Sequence, residues 1–372
     1  DLDFGDVFYH GNRGPIAIYR PPISRWGKVD QALLEAGLDL GYPWHPDLNA
    51  PESTGISPMP VNRTSENRIS TNDAYLEPAR DRPNLTILGD THVDRVLFEG
   101  LRATGVRAYR GDRWVEFSGR EVILSAGSVF TPPILLRSGI GPADDLIALD
   151  VPVIADLPVG HNLTDHSSVG VHLQLRPEAR ARSWDDRLLN CYIRYSSGLS
   201  GAGQNDMVIA SRNLNGYDEA GLDAGAISVL TWQNFSRGTL RIVDPDPFAM
   251  PVIDENLLSD ERDLIRLRDG ARRLFAIVEH RAVQAISEGV LLSTGVTKMA
   301  PLTMADVRDD RALDEWMLST VRDTWHLVGT CRMGAPDDPR TVVGPDCRVL
   351  GIDGLRVIDG SIMPNVPRAN TN

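Results

Sequence analysis

The sequence predicts a mixed α/β fold in which part of an open α/β sheet is interleaved with an antiparallel sheet. Three features carry that prediction. The run Glu121-Val122-Ile123-Leu124-Ser125-Ala126-Gly127 is a short apolar strand ending at small residues, and a helical pattern follows it at once. From His172 to Pro251, strand-like runs alternate with turns rich in Gly, Asn and Asp, the pattern of an antiparallel sheet. Near the carboxyl end, Gly354-Leu355-Arg356-Val357-Ile358-Asp359-Gly360 reads as a second buried strand running into a turn.

Composition agrees with a folded, sizeable core. Of 372 residues 42% are hydrophobic and 24% charged, which excludes a largely disordered chain. The length is a prior for two domains or one large one. The formal charge of −13 makes a poor partner for phosphate backbones or an anionic membrane surface, so nucleic acid is excluded as a ligand. No apolar run approaches the roughly 20 residues of a membrane helix. Cys191, Cys331 and Cys347 lack metal-ligand spacing, and an odd count gives no disulfide framework; reduced thiols in a cytoplasm are expected.

In chain order, Ser24 is placed to cap a helix reaching about Ala36, with Val29, Leu33 and Ala36 as its apolar stripe. Leu85-Thr86-Ile87-Leu88 and then Val93, Arg95 and Leu97 read as short β runs. Val106 to Val122 reads as a meander turning at Arg110-Gly111-Asp112 and Ser118-Gly119. After the strand at 121–127, Thr131 suits an N-cap, Pro132 a first turn and Gly139 a C-cap. The middle sheet is expected to use Cys191–Tyr195, Met207–Ala210, Ile227–Trp232 and Thr239–Val243. Ser259 is placed to cap a long amphipathic helix whose stripe includes Leu264, Leu267, Ala271, Leu274, Phe275 and Val278. A further helix is expected from Asp310 to about Val321.

Three blocks concentrate unusual residues. Gly127 to Gly141 offers glycines for close backbone approach and a helix start with free N–H groups for an anion, although a strand–turn–helix is structural more often than functional. Thr324-Trp325-His326-Leu327-Val328-Gly329-Thr330-Cys331-Arg332-Met333-Gly334 holds a histidine followed by glycines that loosen the backbone. Asp359-Gly360-Ser361, running on to Asn370-Thr371-Asn372, sets a carboxylate at the end of an apolar strand, where a turn cap is the ordinary reading.

Taken together and in this order, the blocks resemble the glucose-methanol-choline (GMC) family of flavin oxidoreductases. Gly127 through Gly141 matches the family's second signature. Ser70-Thr71-Asn72-Asp73-Ala74-Tyr75-Leu76, the run from Asn84 to Glu99, and Pro158-Val159-Gly160-His161-Asn162-Leu163-Thr164-Asp165-His166 agree as well. The resemblance covers nearly the whole chain. It implies a partial FAD-binding, Rossmann-like domain interleaved with a substrate-binding domain. Residues 84–160 and 336–372 would belong to the former, 161–335 to the latter, and 1–83 mainly to substrate-domain and connecting segments.

The same resemblance implies FAD as cofactor and a small-molecule alcohol as substrate, with O2 or another redox carrier accepting the electrons. His326 matches the family's catalytic histidine, and Asn370, eleven residues past Asp359, its second active-site residue. In family terms His326 takes or hydrogen-bonds the hydroxyl proton while a hydride passes to the flavin N5, and Asn370 orients the same oxygen. Val93 would meet the adenine through its backbone. Asp359 and Gly360 would lie along the ribityl-pyrophosphate and Asn370 with Thr371 near the isoalloxazine, with Trp325 a further cofactor-binding residue. Asp165-His166 is weighed as structural, and Cys331 as a small packed residue. A cage for a quaternary ammonium would draw on Trp232, Phe235 and Trp325, residues that core packing explains equally well.

One element of the family pattern is not found: no G-x-G-x-x-G follows an early strand. With Asp1 rather than Met in front and Asn372 in mid-motif behind, the chain is expected to be the latter part of such an enzyme. A flavin-containing hydroxynitrile lyase and a catalytically silent remnant are the competing expectations.

Overall fold

The computed structural model describes residues 4, 8–183, 186–216, 218–292 and 304–371. In chain order the elements used below are α1 (Lys28–Asp39), β1 (Gly55–Pro58), β2 (His92–Glu99), β3 (Arg102–Arg110), β4 (Arg113–Ser118), β5 (Val122–Leu124) and α2 (Gly127–Arg137). They continue with β6 (Ser168–Leu175), β7 (Cys191–Tyr195), β8 (Met207–Arg212), β9 (Ala224–Thr231), β10 (Thr239–Arg241) and β11 (Val252–Asp254). Last come α3 (Glu261–Val278), β12 (Ser287–Leu292), α4 (Asp310–Thr320) and β13 (Leu355–Val357). The chain divides into two compact units, one formed by Asp1–Ile87, Ser168–Thr231 and Leu264–Val321, the other by Leu88–Ser167, Trp232–Asp263 and Arg322–Asn372.

The first unit is built on a six-stranded antiparallel sheet of order β12-β6-β9-β8-β7-β1. Strand β6, Ser168–Leu175, precedes the point at which the sequence reading begins this sheet, and it sits between β12 and β9. Thr239–Val243 does not join the sheet: its strand β10 pairs with β11 in a separate ribbon of the second unit. Helix α1 starts at Lys28 rather than near Ser24, which lies in a 3₁₀ turn, Ile23–Arg25. Its first free amides, Val29 and Asp30, instead donate to Asn213 Oδ1 at 3.2 and 3.3 Å, a cap delivered from another part of the chain. Asp30 is fully buried and accepts from the Asn190 amide, the Asn190 side chain, Ser211 and Asn213, so both carboxyl oxygens find hydrogen-bond donors in place of water.

The second unit carries the antiparallel meander β2-β3-β4 and the parallel pair β5·β13, with Leu355 beside Val122 and Val357 beside Leu124. Its core gathers Val96, Leu124, Leu135, Ile140, Cys331 and Val357, among others. Leu85-Thr86-Ile87-Leu88 forms no strand. Helix α2 begins at Gly127, four residues before the expected cap at Thr131, and carries Pro132 and Pro133 inside it. Pro132 has no amide to give to the Ser128 carbonyl, and the Thr330 hydroxyl donates to it instead at 2.8 Å. At the far end Gly139 takes φ +84°, and a Cβ there would stand 2.3 Å from the Pro152 carbonyl oxygen, so the helix stop requires glycine. Helix α3 begins at Glu261, with the Asp260 carboxylate, not Ser259, accepting the Arg262 amide at 3.0 Å.

Candidate active site

The histidine block is held in place by a short antiparallel exchange with the segment before β6. Thr164 and Val328 trade amide-to-carbonyl bonds of 3.1 and 3.0 Å, which brings Asp165 against residues 324–326. The Asp165 side chain, 1% exposed, accepts the His166 amide at 2.5 Å, the Thr324 amide at 3.3 Å, the Thr324 hydroxyl at 3.0 Å and the His326 amide at 3.0 Å. The loop turns sharply here: Trp325 has φ +62° and is 88% exposed, and Gly329 has φ +90°. A Cβ on Gly329 would come within 2.5 Å of the Asn162 carbonyl oxygen, so only glycine lets these segments approach.

His326 is half-buried, and burial lowers its pKa below the ordinary value, which keeps the imidazole neutral near pH 7. Its Nδ1 lies 3.0 Å from the Thr324 hydroxyl, and no described residue hydrogen-bonds its Nε2. The His166 ring stands edge-on to it with centroids 5.2 Å apart, and His166 Nε2 is 3.4 Å from the Ala369 carbonyl oxygen. That contact brings the residue before Asn370 to the histidine pair. Asn370 itself is exposed and its carboxamide is unbonded among the described residues. Asp165 and His166 are therefore part of the candidate site rather than remote supports.

Two further carboxyls, Glu255 and Asp323, come within 4.8 Å of Asp165, oxygen to oxygen. Burial, followed by the charges of Asp323 and Asp165, raises Glu255 to about 7; burial likewise raises Asp165 to about 6 against the pull of the His166 amide, the Thr324 hydroxyl and the His326 amide. Glu255 gives no signal in the sequence, because it meets the others only through the fold. Of the proposed ammonium cage, Trp232 is buried beside His166, and Phe235 lies under the Arg262 guanidinium at 3.8 Å. Trp325 alone of the three is open. Cys331 is buried in the core, and burial pushes its thiol pKa up, so it behaves as a packed apolar residue.

The Asp359 carboxylate ties the second block to the first. It accepts the Gly127 amide at 3.0 Å, the Thr131 hydroxyl at 2.6 Å and the Ser361 amide at 2.8 Å. The Gly329 amide reaches the Gly360 carbonyl oxygen at 3.4 Å, so the block also flanks the histidine loop. Beside β5 lies a cavity of about 760 Å³ lined in part by Val93, Leu124, Ala126, Phe130, Ile134 and Arg137. Its size suits a cofactor, and its walls are mainly apolar with a guanidinium among them. Gly127, with φ +83° and open space where a Cβ would stand, leaves the helix start approachable. These features fit a flavin dinucleotide along one side. Thr371 is half-buried at the end of the described chain.

The parallel strand pair feeding a glycine turn and helix, beside the buried carboxylate–histidine loop, belongs to a flavoprotein oxidoreductase by comparison with known proteins. The chain belongs to the GMC oxidoreductases, whose N- and C-terminal sequence profiles match residues 9–168 and 234–372, and its cofactor is FAD. Over 385 residues it is 40% identical to 5-(hydroxymethyl)furfural oxidase of Methylovorus sp. (strain MP688), covering all of this chain and 70% of that protein. It is 33% identical to oxygen-dependent choline dehydrogenase of Yersinia pestis, covering all of this chain and 68% of that one. In structure it is similar to pyridoxine 4-oxidase from Mesorbium loti, with TM-score 0.84 and 28% identity over 97% of this chain and 69% of the other. No described helix is long and apolar enough to cross a membrane.

Proposed function

We propose that the protein oxidises an alcohol, with His326 taking the hydroxyl proton and Asn370 steadying the oxygen. One observation carries the reading most: His326 is held neutral by burial, anchored through its own amide and Nδ1, and open at Nε2. A neutral imidazole with a free lone pair accepts a hydroxyl proton near pH 7. The Asn370 carboxamide, unbonded and one residue past the contact with His166, donates to the developing alkoxide without adding a competing charge. FAD, when bound, supplies the acceptor for the hydride. Val93, Gly127, Asp359 and Gly360 are proposed to line its binding side, with Trp325 and Thr371 near the ring. Residues 84–160 and 336–372 are proposed as cofactor-side chain.

The 40% identity to an oxidase of 5-(hydroxymethyl)furfural supports an uncharged alcohol, and the oxygen-dependent choline dehydrogenase among the relatives supports O2 as acceptor. The burial of Trp232 and the engagement of Phe235 argue against an aromatic ammonium cage built on those residues. The test is anaerobic bleaching of the complete, FAD-loaded protein by 5-(hydroxymethyl)furfural. His326→Ala should slow flavin reduction by about 10²–10⁴-fold while leaving the flavin bound. A near-normal rate in the variant overturns the assignment of the base.

A further inference from the structure

We infer that Asp165 and Thr324 are positioning residues that fix the tautomer of His326, placing the proton on Nδ1 and leaving the Nε2 lone pair for the substrate. The inference rests on the reading of His326 as the base and says what makes it one. Three atoms form the chain that matters. The Thr324 hydroxyl oxygen lies 3.0 Å from Asp165 Oδ1 and 3.0 Å from His326 Nδ1. A hydroxyl has one proton to give and lone pairs to receive. An ionised carboxylate can only accept, so the hydroxyl proton goes to Asp165, and the oxygen can then only receive from the ring. Nδ1 must carry the hydrogen, and Nε2 is the unprotonated nitrogen. The bond at one ring nitrogen decides the state of the other.

The surroundings hold this arrangement. Asp165 takes three backbone amides besides the Thr324 hydroxyl, each favouring the ionised form. The His326 amide is one of these donors, so the same carboxylate fixes the residue's backbone and, through Thr324, its ring. The other ionisable groups facing the chain are Glu255 and Asp323 beside Asp165, and the edge-on His166 beside His326. If Asp165 takes up a proton, the direction reverses: it donates to Thr324, Thr324 donates to Nδ1, and the ring hydrogen moves to Nε2. The base is then lost without any change of fold.

The test uses the complete, FAD-loaded protein with ¹⁵N-labelled histidine, read by two-bond proton–nitrogen correlation, the His326 signals being those that vanish in His326→Gln. At pH 8 the expected pattern is a protonated Nδ1 and an unprotonated Nε2. Thr324→Val should move the ring toward the Nε2–H form and slow flavin reduction about 10- to 100-fold with KM little changed. Thr324→Ser should restore both tautomer and rate. Because Asp165→Asn disturbs a buried carboxylate, Thr324→Val carries the test. A wild-type ring protonated on Nε2, or a Thr324→Val protein with unchanged tautomer and rate, overturns the inference. If instead His326→Gln reduces flavin at the normal rate, the base reading falls, and the tautomer still reports separately on Asp165 and Thr324.

Discussion

The Thr131 hydroxyl donates to Asp359 Oδ2 at 2.6 Å, joining residues 228 positions apart in sequence. The same oxygen takes the Gly127 amide, and the other takes the Ser361 amide. One carboxylate thus sets where α2 begins and how the turn after β13 leaves the sheet. Asp359→Ala should destabilise the protein by about 2–4 kcal/mol, since three donors lose their shared carboxyl acceptor. Thr131→Val should cost only about 1 kcal/mol. Urea midpoints of the two variants check the order. The Asp359 variant should also release FAD on dilution, whereas equal midpoints would mean the carboxylate is not the common anchor.

Asp94 on β2 is fully buried and meets three arginines: Arg95 at 2.8 Å, Arg107 at 2.5 Å and Arg137 at 3.2 Å. Arg137 is itself buried, and burial lowers its pKa below the ordinary guanidinium value. Removing the carboxylate strands that charge in the core. Asp94→Ala should therefore cost about 3–5 kcal/mol, and the pair Asp94→Leu with Arg137→Met much less. Differential scanning calorimetry of the single and paired variants decides it; a double variant no better than the single refutes the stranded-charge account.

The acidic cluster gives a pH dependence of definite sign. In the unfolded chain Glu255 ionises near its ordinary 4.5, whereas in the fold it keeps its proton up to about 7. Between those values the folded state binds more protons, so stability falls as pH rises through the window and levels off above about 7. Asp165, raised to about 6, acts in the same direction, and His326, lowered by burial, acts in the opposite one. Glu255→Gln isolates one contributor. It should raise stability at pH 8 by about 1 kcal/mol, a figure discounted for the partial exposure of this side chain, and change little at pH 4. Urea unfolding at the two pH values measures this, and equal gains at both would contradict it.

What the sequence made legible was local or carried by motif. Of the meander expected over Val106–Val122 only the turn at Gly111 is observed, because the sheet is β2-β3-β4 over 92–118 and no described strand pairs across Gly119; β5 and β13 lie within the runs read as buried strands. His326 and Asn370 could be named because their blocks resemble a family, not because periodicity points at them. Leu85-Thr86-Ile87-Leu88 has strand composition and forms none, since a β run needs a partner to complete its hydrogen bonds. Pro132 looked like a helix start because its missing amide is harmless there; the Thr330 hydroxyl makes it equally harmless inside α2. Asp165 and Glu255 illustrate the same limit at the site, ninety residues apart and joined only by tertiary packing.

The cap of α1 shows that limit in a form that can be measured. Ser24 has the residue type for the task, yet Asn213 performs it, accepting from the Val29 and Asp30 amides while its own amide group donates to Asp30. Gly27, at the N-cap position, makes room: a Cβ there would stand 2.0 Å from Asn213 Oδ1. Asn213→Ala should then cost about 2 kcal/mol through two uncapped amides and a buried carboxylate short of a donor. Gly27→Ala should cost a similar amount by pushing the same carboxamide away. Because both act through one contact, the double variant should be well short of additive. Ser24→Ala should be near neutral. Additive losses at Gly27 and Asn213, or a large loss at Ser24, would return the cap to the local sequence.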